Sequence, residues 1–554
     1  MQAEWGCFRT YQVSSVAFDK NPLTHKVPQG EFEISMAKYF ADKYGEEGTL
    51  QDTSQPLLVV QRGKTGDVIY LPPEKCVIAG LPQGMSKIEF MKVSREMKKR
   101  PEEKLRSHKD LLSILEKDEL IGRYGLKITD RPEYLPSSVL PPPQIECDRK
   151  NVDATPDSLG RLPVYEKGAG LREWVFVYAA RDFDCADSFF QNLLSSAKDL
   201  GVALEEPTWV ELAKMHPQEV EKTLPEAITK HTQIVLFFIG FDEHYRLMKH
   251  KLLTKFKVNS QGVRVRTIQS SMRNASKMAN IAKKVLKQMV AKVGSDLYRL
   301  YLPKEVRDYT MLVGIDVCHQ GSQSIIGFCS SYSRAMTQYF SHVAFQKRGQ
   351  EIIPEKLEEC FTLALKAFEG ENRRLPEHIV IYRDGVGDGM RSEVVGKEVA
   401  QLTKLLAKVS NQVAGLCSEV TLIIVNKRVM QRFFLNGSVA GGRGLLNPHP
   451  GTLVNSSITE RADAQARTFD FFLVPQSTTV GCVVPTHFCV DFNTSPMSKE
   501  AIQQLTYSLC WYYYNWEGSI KVPAPCMYAH NIAKKALDIG VHGKGDITRF
   551  LYYL

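Results

Sequence analysis

The stretch YTMLVGIDVCHQGSQSIIGFCSSYSRAMTQYFSHVAFQ, residues 309–346, decides the fold of the C-terminal half of this chain. Three of its segments, 309–317, 324–332 and 338–346, are apolar and rich in β-branched and aromatic residues. Their short separations predict three antiparallel strands joined as a meander. The first predicted strand carries Asp316 between apolar neighbours, and a charge in such surroundings needs a partner.

The segments that follow extend this sheet. A helix is predicted from about residue 354 to residue 370, then strand HIVIYRDG, helix RSEVVGKEVAQLTKLLAKV and strand EVTLIIVNK. The order βββαβαβ is the layout of a ribonuclease-H-like sheet, in which the first and fourth strands are neighbours. We therefore expect Asp316 to meet Asp384, which ends the fourth strand.

Four side chains are candidate metal ligands: Asp316, Asp384 in YRDGVGDG, Glu351 in RGQEII and His530 in APCMYAHNIAKKAL. Phosphodiester hydrolysis by two metal ions needs converging carboxylates, Mg²⁺ prefers oxygen ligands, and neutral imidazole also binds metals. Taken singly, each residue has an ordinary alternative role. An Asp can cap a strand or turn, a Glu can begin a helix, and a helical His can simply be packed.

The positive charge is concentrated in one segment. The chain carries 71 Lys and Arg against 62 Asp and Glu, a net charge of +9, yet residues 244–295 contain 13 Lys or Arg and no acid. Such a surface attracts polyanions. It predicts a phosphate-binding site, with a solvated basic face as the alternative.

The same segment lies in an alternation of strands and helices. Strand EWVFVYA (173–179), strand TQIVLFFIG (232–240) with a basic helix from Asp242, and strand GVRVRTI (262–268) with a helix over Ala275–Lys292 are predicted. Continuous apolar strands separated by helices indicate a parallel sheet covered on both faces.

The composition and the residue patterns limit the classes of protein to which this chain can belong. The 43% hydrophobic and 24% charged content is that of a globular chain. No apolar run approaches the roughly 20 residues of a membrane helix, no secretion signal is recognisable, and the 12 cysteines include no CxxC pair. We expect a protein of the cytoplasm, the nucleus or both, without membrane insertion.

Several motifs together resemble the PIWI domain of Argonaute proteins, across about residues 305–554: VGIDVCH, GQEII, YRDGVGDG, NPHPGT, TFDFFLVPQS, PTHFCV, YNWEGSIKVPAPCMYAH and RFLYYL. The resemblance implies a ribonuclease-H-like nuclease that cuts RNA opposite a bound small guide RNA, using Mg²⁺ or Mn²⁺. The family's catalytic, metal-binding tetrad falls on Asp316, Glu351, Asp384 and His530. Cys318 departs from the family, which usually has an aromatic residue there.

The basic segment resembles the family's MID domain, which holds the 5′ phosphate of the guide. The resemblance assigns this role to Tyr245, Lys249, Gln261, Gln288 and Lys292, with the terminal carboxylate of Leu554 nearby. Tyr245 and Lys249 are four residues apart, on one helical face. Gln288 and Lys292 are also four residues apart, and a Gln at position 288, where the Argonaute clade generally has a Lys, resembles the PIWI clade.

Upstream, RTYQVSSVAFDKNP, KYFADKY and VIYLPPEKC resemble the C-terminal half of a PAZ domain, which holds the guide 3′ end. The matching pocket positions are Tyr11, Tyr39, Tyr44 and Leu71. Aromatic side chains can stack on bases, although plain core packing explains the same residues. The resemblance begins inside PAZ, so we expect a fragment or a shortened member of the family.

We therefore expect an α/β multidomain protein: a partial PAZ barrel (1–85), a linker (86–168), a Rossmann-like MID domain (169–302) and a ribonuclease-H-like PIWI domain (303–554). The expected function is guide-directed cleavage of complementary RNA in RNA-mediated silencing. Expected partners are a small guide RNA, a target RNA and silencing cofactors, on a monomeric protein. The alternatives are a guide-loaded module that does not cut, and a nuclease that needs no guide.

Overall fold

The computed structural model describes residues 11–29, 32–62, 67–77, 85–129, 132–146, 151–165, 170–320, 323–347, 353–410, 419–439, 442–459 and 467–554. The chain divides into two compact units, Met1–Lys98 and Lys99–Leu554. No helix within the described ranges combines the length and apolarity needed to cross a membrane.

The first unit combines short strands with one long helix. Its elements are β1 (Val13–Ala17), β2 (Lys26–Gln29), β3 (Phe32–Ser35), α1 (Met36–Gly48), β4 (Leu57–Arg62), β5 (Asp67–Leu71) and α2 (Lys87–Met97). Strands β1, β4 and β5 form an antiparallel sheet in that order, and β2 pairs with β3. Ser35 caps α1 by accepting a hydrogen bond from the Lys38 amide. Met36 and Phe40 of α1 pack with Leu50 and Leu57 as a small core.

The second unit begins with helices and short strands: α3 (Pro101–Glu116), α4 (Glu119–Arg123), β6 (Ser138–Val139), β7 (Gln144–Ile145), β8 (Val152–Asp153), α5 (Pro156–Arg161) and β9 (Gly170–Leu171). The proline-rich residues 138–145 supply β6, which pairs antiparallel with the strand Thr452–Val454 at the edge of a large sheet.

A four-stranded parallel sheet follows. Its region contains β10 (Trp174–Ala179), α6 (Phe183–Leu200), β11 (Ala203–Leu204), β12 (Thr208–Leu212), α7 (Pro217–Ala227), β13 (Ile234–Ile239), α8 (Asp242–Lys251), β14 (Asn259–Arg264), α9 (Val265–Gln269) and α10 (Ala275–Lys292). The strand order is β12-β10-β13-β14, with every pair parallel. Alternate residues of β13 enter separate cores on the two faces of the sheet, as predicted.

One predicted strand of this sheet was misplaced. The sequence favoured a strand over 262–268, but β14 spans Asn259–Arg264 and residues 265–269 are helical. The reason is register, because β14 pairs with β13 residue for residue and ends beside Ile239, where β13 ends. Strand β12 and helix α7 were not predicted.

The C-terminal region is built on the largest sheet. Its elements are β15 (Thr310–Gln320), β16 (Gln323–Ser331), β17 (Tyr339–Lys347), α11 (Pro354–Asn372), β18 (His378–Asp384), α12 (Arg391–Glu393), α13 (Ala400–Ser410), β19 (Glu419–Asn426), β20 (Leu435–Val439), β21 (Gly442–Leu446), β22 (Thr452–Val454), β23 (Phe469–Val474), β24 (Thr486–Asn493), α14 (Lys499–Leu509) and α15 (Ala524–Ile539). The sheet order is β17-β16-β15-β18-β19-β24-β23-β22-β6. The predicted antiparallel meander is confirmed, and β15 lies beside β18 in parallel.

Candidate functional site

The two predicted aspartates lie on neighbouring strands. Ile315 of β15 is in register with Arg383 of β18, so the next residues, Asp316 and Asp384, lie side by side. Their exposed fractions are 5% and 2%. The sheet therefore holds two buried carboxylates at one point on its edge.

Helix α15 brings His530 to this point because two glycines let it approach the sheet closely. A Cβ atom at Gly314 or at Gly327 would lie 2.0 or 2.1 Å from a backbone carbonyl oxygen of α15. The carbonyl near Gly327 belongs to Ala529, and Gly327 is the cross-strand partner of Asp316. The following residue, His530, consequently places Nδ1 2.8 Å from Asp316 Oδ2.

Lys427 also belongs to this site, although the sequence analysis did not name it. It follows β19, the strand beside β18, and its ammonium forms an ion pair with Asp384 Oδ2 at 2.5 Å. Burial would lower the pKa of Lys427, but the charges of Asp384 and Asp316 outweigh burial and raise it. Its place at the end of a neighbouring strand was the signal that could have identified it.

The two carboxylates differ in their titration. Burial raises the pKa of Asp384 against the opposing charge of Lys427. Burial also acts against ionisation of Asp316, yet the hydrogen bond with His530 and the charge of Lys427 hold the pKa of Asp316 below its ordinary value. The carboxylate of Asp316 therefore stays ionised at neutral pH and can bind a cation at this site.

A buried ion pair supports the strand that carries Asp384. Arg383 is fully buried, donates to the Asp384 backbone carbonyl at 2.6 Å and pairs with Glu398 at 3.2 Å. Glu398 also accepts a hydrogen bond from the Ile353 amide, at the start of α11. Glu351, the fourth member of the predicted tetrad, lies outside the described residues.

The donor set fits a divalent metal. Two carboxylates and an imidazole nitrogen are ligands that Mg²⁺ or Mn²⁺ accepts. Cys318 lies beside them, with Sγ 3.8 Å from Asp316 Oδ2. Burial, followed by the Asp316 charge, raises the pKa of this thiol to about 12.

The five residues predicted to hold a guide 5′ phosphate form one connected cluster. Lys249 and Lys292 both donate to the Ser260 carbonyl, at 2.7 and 3.0 Å. Lys292 also donates to Gln261 Oε1 at 2.7 Å, and Gln261 donates to Gln288 at 3.0 Å. The Tyr245 ring lies 5.8 Å from the Lys249 ammonium. Helices α8 and α10 and strand β14 thus converge on what we call the lysine pocket: Tyr245, Lys249, Gln261, Gln288, Lys292 and Lys535.

Lys535 reaches this pocket from α15 and was missed by the sequence analysis. Its ammonium donates to the Tyr245 hydroxyl at 2.8 Å. Burial, together with the charge of Lys535, holds the pKa of both Lys249 and Lys292 well below the ordinary value. Within the described ranges, no carboxylate forms an ion pair with any of the three lysines, so an anion bound in the pocket would favour their charged forms.

Leu554 is buried in the core that α15 shares with the sheets. Among the described residues, no hydrogen bond or ion pair joins it to the lysine pocket. Its predicted part in phosphate binding stays a prediction.

The predicted aromatic residues of the first unit are partly brought together. Lys43 donates to the Tyr39 hydroxyl at 2.5 Å and lies 4.9 Å from the Tyr39 ring and 5.5 Å from the Tyr44 ring. Both rings also flank Phe40 in the core. Leu71 ends β5, and Tyr11 precedes β1 without a described contact to the others. Core packing and base stacking both remain compatible with this arrangement.

Comparison with known proteins gives the family. The Piwi domain model matches residues 234–539, more than half of the chain, and the PAZ domain model matches residues 6–99. Piwi-like protein 1 of Gallus gallus is 33% identical over 547 residues, covering 95% of this chain and 60% of its own length. Piwi-like protein Ago3 of Bombyx mori is 31% identical, with 95% and 57% covered. The chain thus spans about 60% of the length of these relatives.

Solved structures agree on the fold. The crystal structure of Drosophila Piwi matches with a TM-score of 0.78 at 22% identity, over 99% of this chain and 72% of that one. Kluyveromyces polysporus Argonaute with a guide RNA matches with a TM-score of 0.69 at 21% identity, over 96% and 65%. The Piwi domain match over more than half of the chain, with the PAZ match and the Piwi-like relatives, shows that the chain belongs to the Piwi family, in the PIWI clade of Argonaute proteins.

Proposed function

We propose that this protein binds a small guide RNA and cleaves complementary RNA in RNA-mediated silencing, with Mg²⁺ or Mn²⁺ as cofactor. The observation that carries the proposal is the convergence of Asp316, Asp384 and His530 from three distant segments. Burying two carboxylates side by side lowers the stability of the fold unless cations compensate their charge. A catalytic role explains such an arrangement better than a structural one.

The side chains have distinct proposed roles. Asp316 and Asp384 would hold the metal ions, with His530 and Glu351 completing the ligand set. The metals would supply activation of the attacking water and stabilisation of the leaving oxygen. His530 is held by Asp316, which fixes the orientation of its ring. Arg383 and Glu398 keep the Asp384 backbone in place.

The lysine pocket would anchor the guide. Phosphate oxygens would accept charge-assisted hydrogen bonds from Lys249, Lys292 and Lys535, while Tyr245 offers an aromatic ring to a base. Because base pairing supplies sequence recognition, the protein itself needs to grip only phosphates and shape. Tyr11, Tyr39, Tyr44 and Leu71 are the proposed contacts to the guide 3′ end.

Cleavage of a labelled complementary RNA by guide-loaded protein tests the proposal. We expect Mg²⁺-dependent cutting by the wild type and by Asp546→Asn, an exposed control, and loss of cutting in Asp384→Asn. Equal cutting by Asp384→Asn would show that the assigned site is wrong. Cutting without any guide would support a guide-independent nuclease instead.

The Lys427–Asp384 ion pair favours one alternative, a guide-loaded silencing module that recruits partners and does not cut. An ammonium on a ligand oxygen competes with a metal for that oxygen. Under this alternative, small RNAs with 5′ phosphates copurify with the protein, yet the complementary RNA stays intact under every metal condition.

A further inference from the structure

Three different metal-binding side chains meet at the proposed magnesium site, and two of them, Asp316 and His530, are proposed magnesium ligands. Asp316 and Cys318 are two residues apart on β15, so they point to the same face of the sheet. His530 reaches them from α15. One ligand atom from each of the three lies within 4.8 Å of the other two.

The spacing of these atoms suits a small tetrahedral ion. Zinc bonds of about 2.0–2.3 Å place neighbouring ligand atoms roughly 3.3–3.7 Å apart. The Cys318 Sγ to Asp316 Oδ2 distance is 3.8 Å, and the His530 Nδ1 to Asp316 Oδ2 distance is 2.8 Å. To bind such an ion, His530 Nδ1 would move about half an ångström away from Asp316 Oδ2, and the Cys318 side chain would adjust slightly.

The chemistry of the set discriminates between metals. A thiolate, an imidazole and a carboxylate are ligands that Zn²⁺ takes together, leaving a fourth position for water. Mg²⁺ prefers oxygen and gains little from sulfur. Cys318 therefore adds affinity for a soft ion and little affinity for Mg²⁺.

We propose that Asp316, Cys318 and His530 form a binding site for Zn²⁺ or a similar soft divalent ion, and that its occupation blocks RNA cleavage. On binding, the ion replaces the thiol proton of Cys318, which passes to solvent, and no electron is transferred. Asp316 and His530 are then withdrawn from the magnesium set. This second half rests on the proposed function, whereas the site itself does not.

Cobalt substitution tests the site directly. The metal-free 554-residue chain titrated with Co²⁺ should develop a thiolate-to-cobalt charge-transfer absorption, which Zn²⁺ then abolishes. Cys318→Ser should lose that band, while Cys482→Ser, which removes another partly exposed thiol, should retain it. Losing an outer-shell partner already costs about 10–100-fold in metal affinity, so losing the Cys318 ligand should weaken Zn²⁺ binding by at least about 100-fold.

Thermal melting of both variants in the metal-free state verifies that they are folded. A band that persists in Cys318→Ser, or no band in the wild type, would overturn the site. The substitution Cys318→Ala serves as a second variant, and its folded form must lose the band as well.

Guided cleavage under increasing Zn²⁺ tests the second half, with each protein measured against its own rate without Zn²⁺. The wild type should be inhibited at about 100-fold lower Zn²⁺ than Cys318→Ser. Inhibition at equal concentrations would leave the site standing and refute its effect on cleavage. Absence of cleavage in every protein would instead count against the proposed function, and the cobalt result would be unaffected.

Discussion

The close approach of α15 to the sheet makes Gly327→Ala a decisive substitution. The new Cβ would lie 2.1 Å from the Ala529 carbonyl oxygen, whereas favourable contacts begin near about 3.5 Å. Helix and sheet must therefore separate by roughly 1.4 Å. Since His530 follows Ala529, its 2.8 Å contact with Asp316 would lengthen beyond the about 3.2 Å limit of a good hydrogen bond.

Two measurements check this reasoning. Overpacking of this kind costs about 1–3 kcal/mol, which corresponds to a melting temperature lower by about 1–3 °C for a unit as large as Lys99–Leu554. Under the proposed function, a displacement of about 1 Å costs roughly 100-fold in cleavage. The matched control is Gly122→Ala on α4, where an added Cβ meets nothing within 4 Å. If Gly327→Ala melts and cleaves like the control, α15 is not held by this contact and the argument fails.

Three further predictions concern charged side chains. Glu398→Ala removes the ion pair that Glu398 forms with the buried Arg383, so we expect the free energy of unfolding to fall by about 3–5 kcal/mol; an unchanged melting temperature would contradict this. Lys535→Met should weaken binding of a 5′-phosphorylated guide by about 1.5–3 kcal/mol, measured by fluorescence anisotropy, and an equal loss with a 5′-hydroxyl guide would refute a phosphate contact. Burial lowers the pKa of Lys249 and Lys292 from 10.5, and a bound phosphate favours their charged forms. The preference for a 5′-phosphorylated guide over a 5′-hydroxyl guide should therefore fall as the pH rises from neutral towards 10.5; a constant preference would show that the lysines do not titrate in this range.

The part of the candidate site that depends on local sequence pattern and strand order could be predicted from the sequence. Asp316 and Asp384 were placed together because parallel neighbours bring the ends of their strands to one edge. Lys427 was missed although its place at the end of a strand beside β18 was an available signal, and Lys535 was missed because nothing in AKKAL distinguishes it from a solvated lysine. Each owes its role to a partner far along the chain, Asp384 for Lys427 and Tyr245 for Lys535.

The amino-acid sequence alone determined the apolar strands, the meander, the basic helices and the family resemblance. These depend on side-chain periodicity and residue types within short windows, which a linear reading contains. Only the tertiary structure decided where β14 ends, how closely α15 approaches Gly327, and that Cys318 and His530 share Asp316. Those features depend on register and packing between segments up to 214 residues apart, and the energy of such contacts is defined only once the backbones have docked.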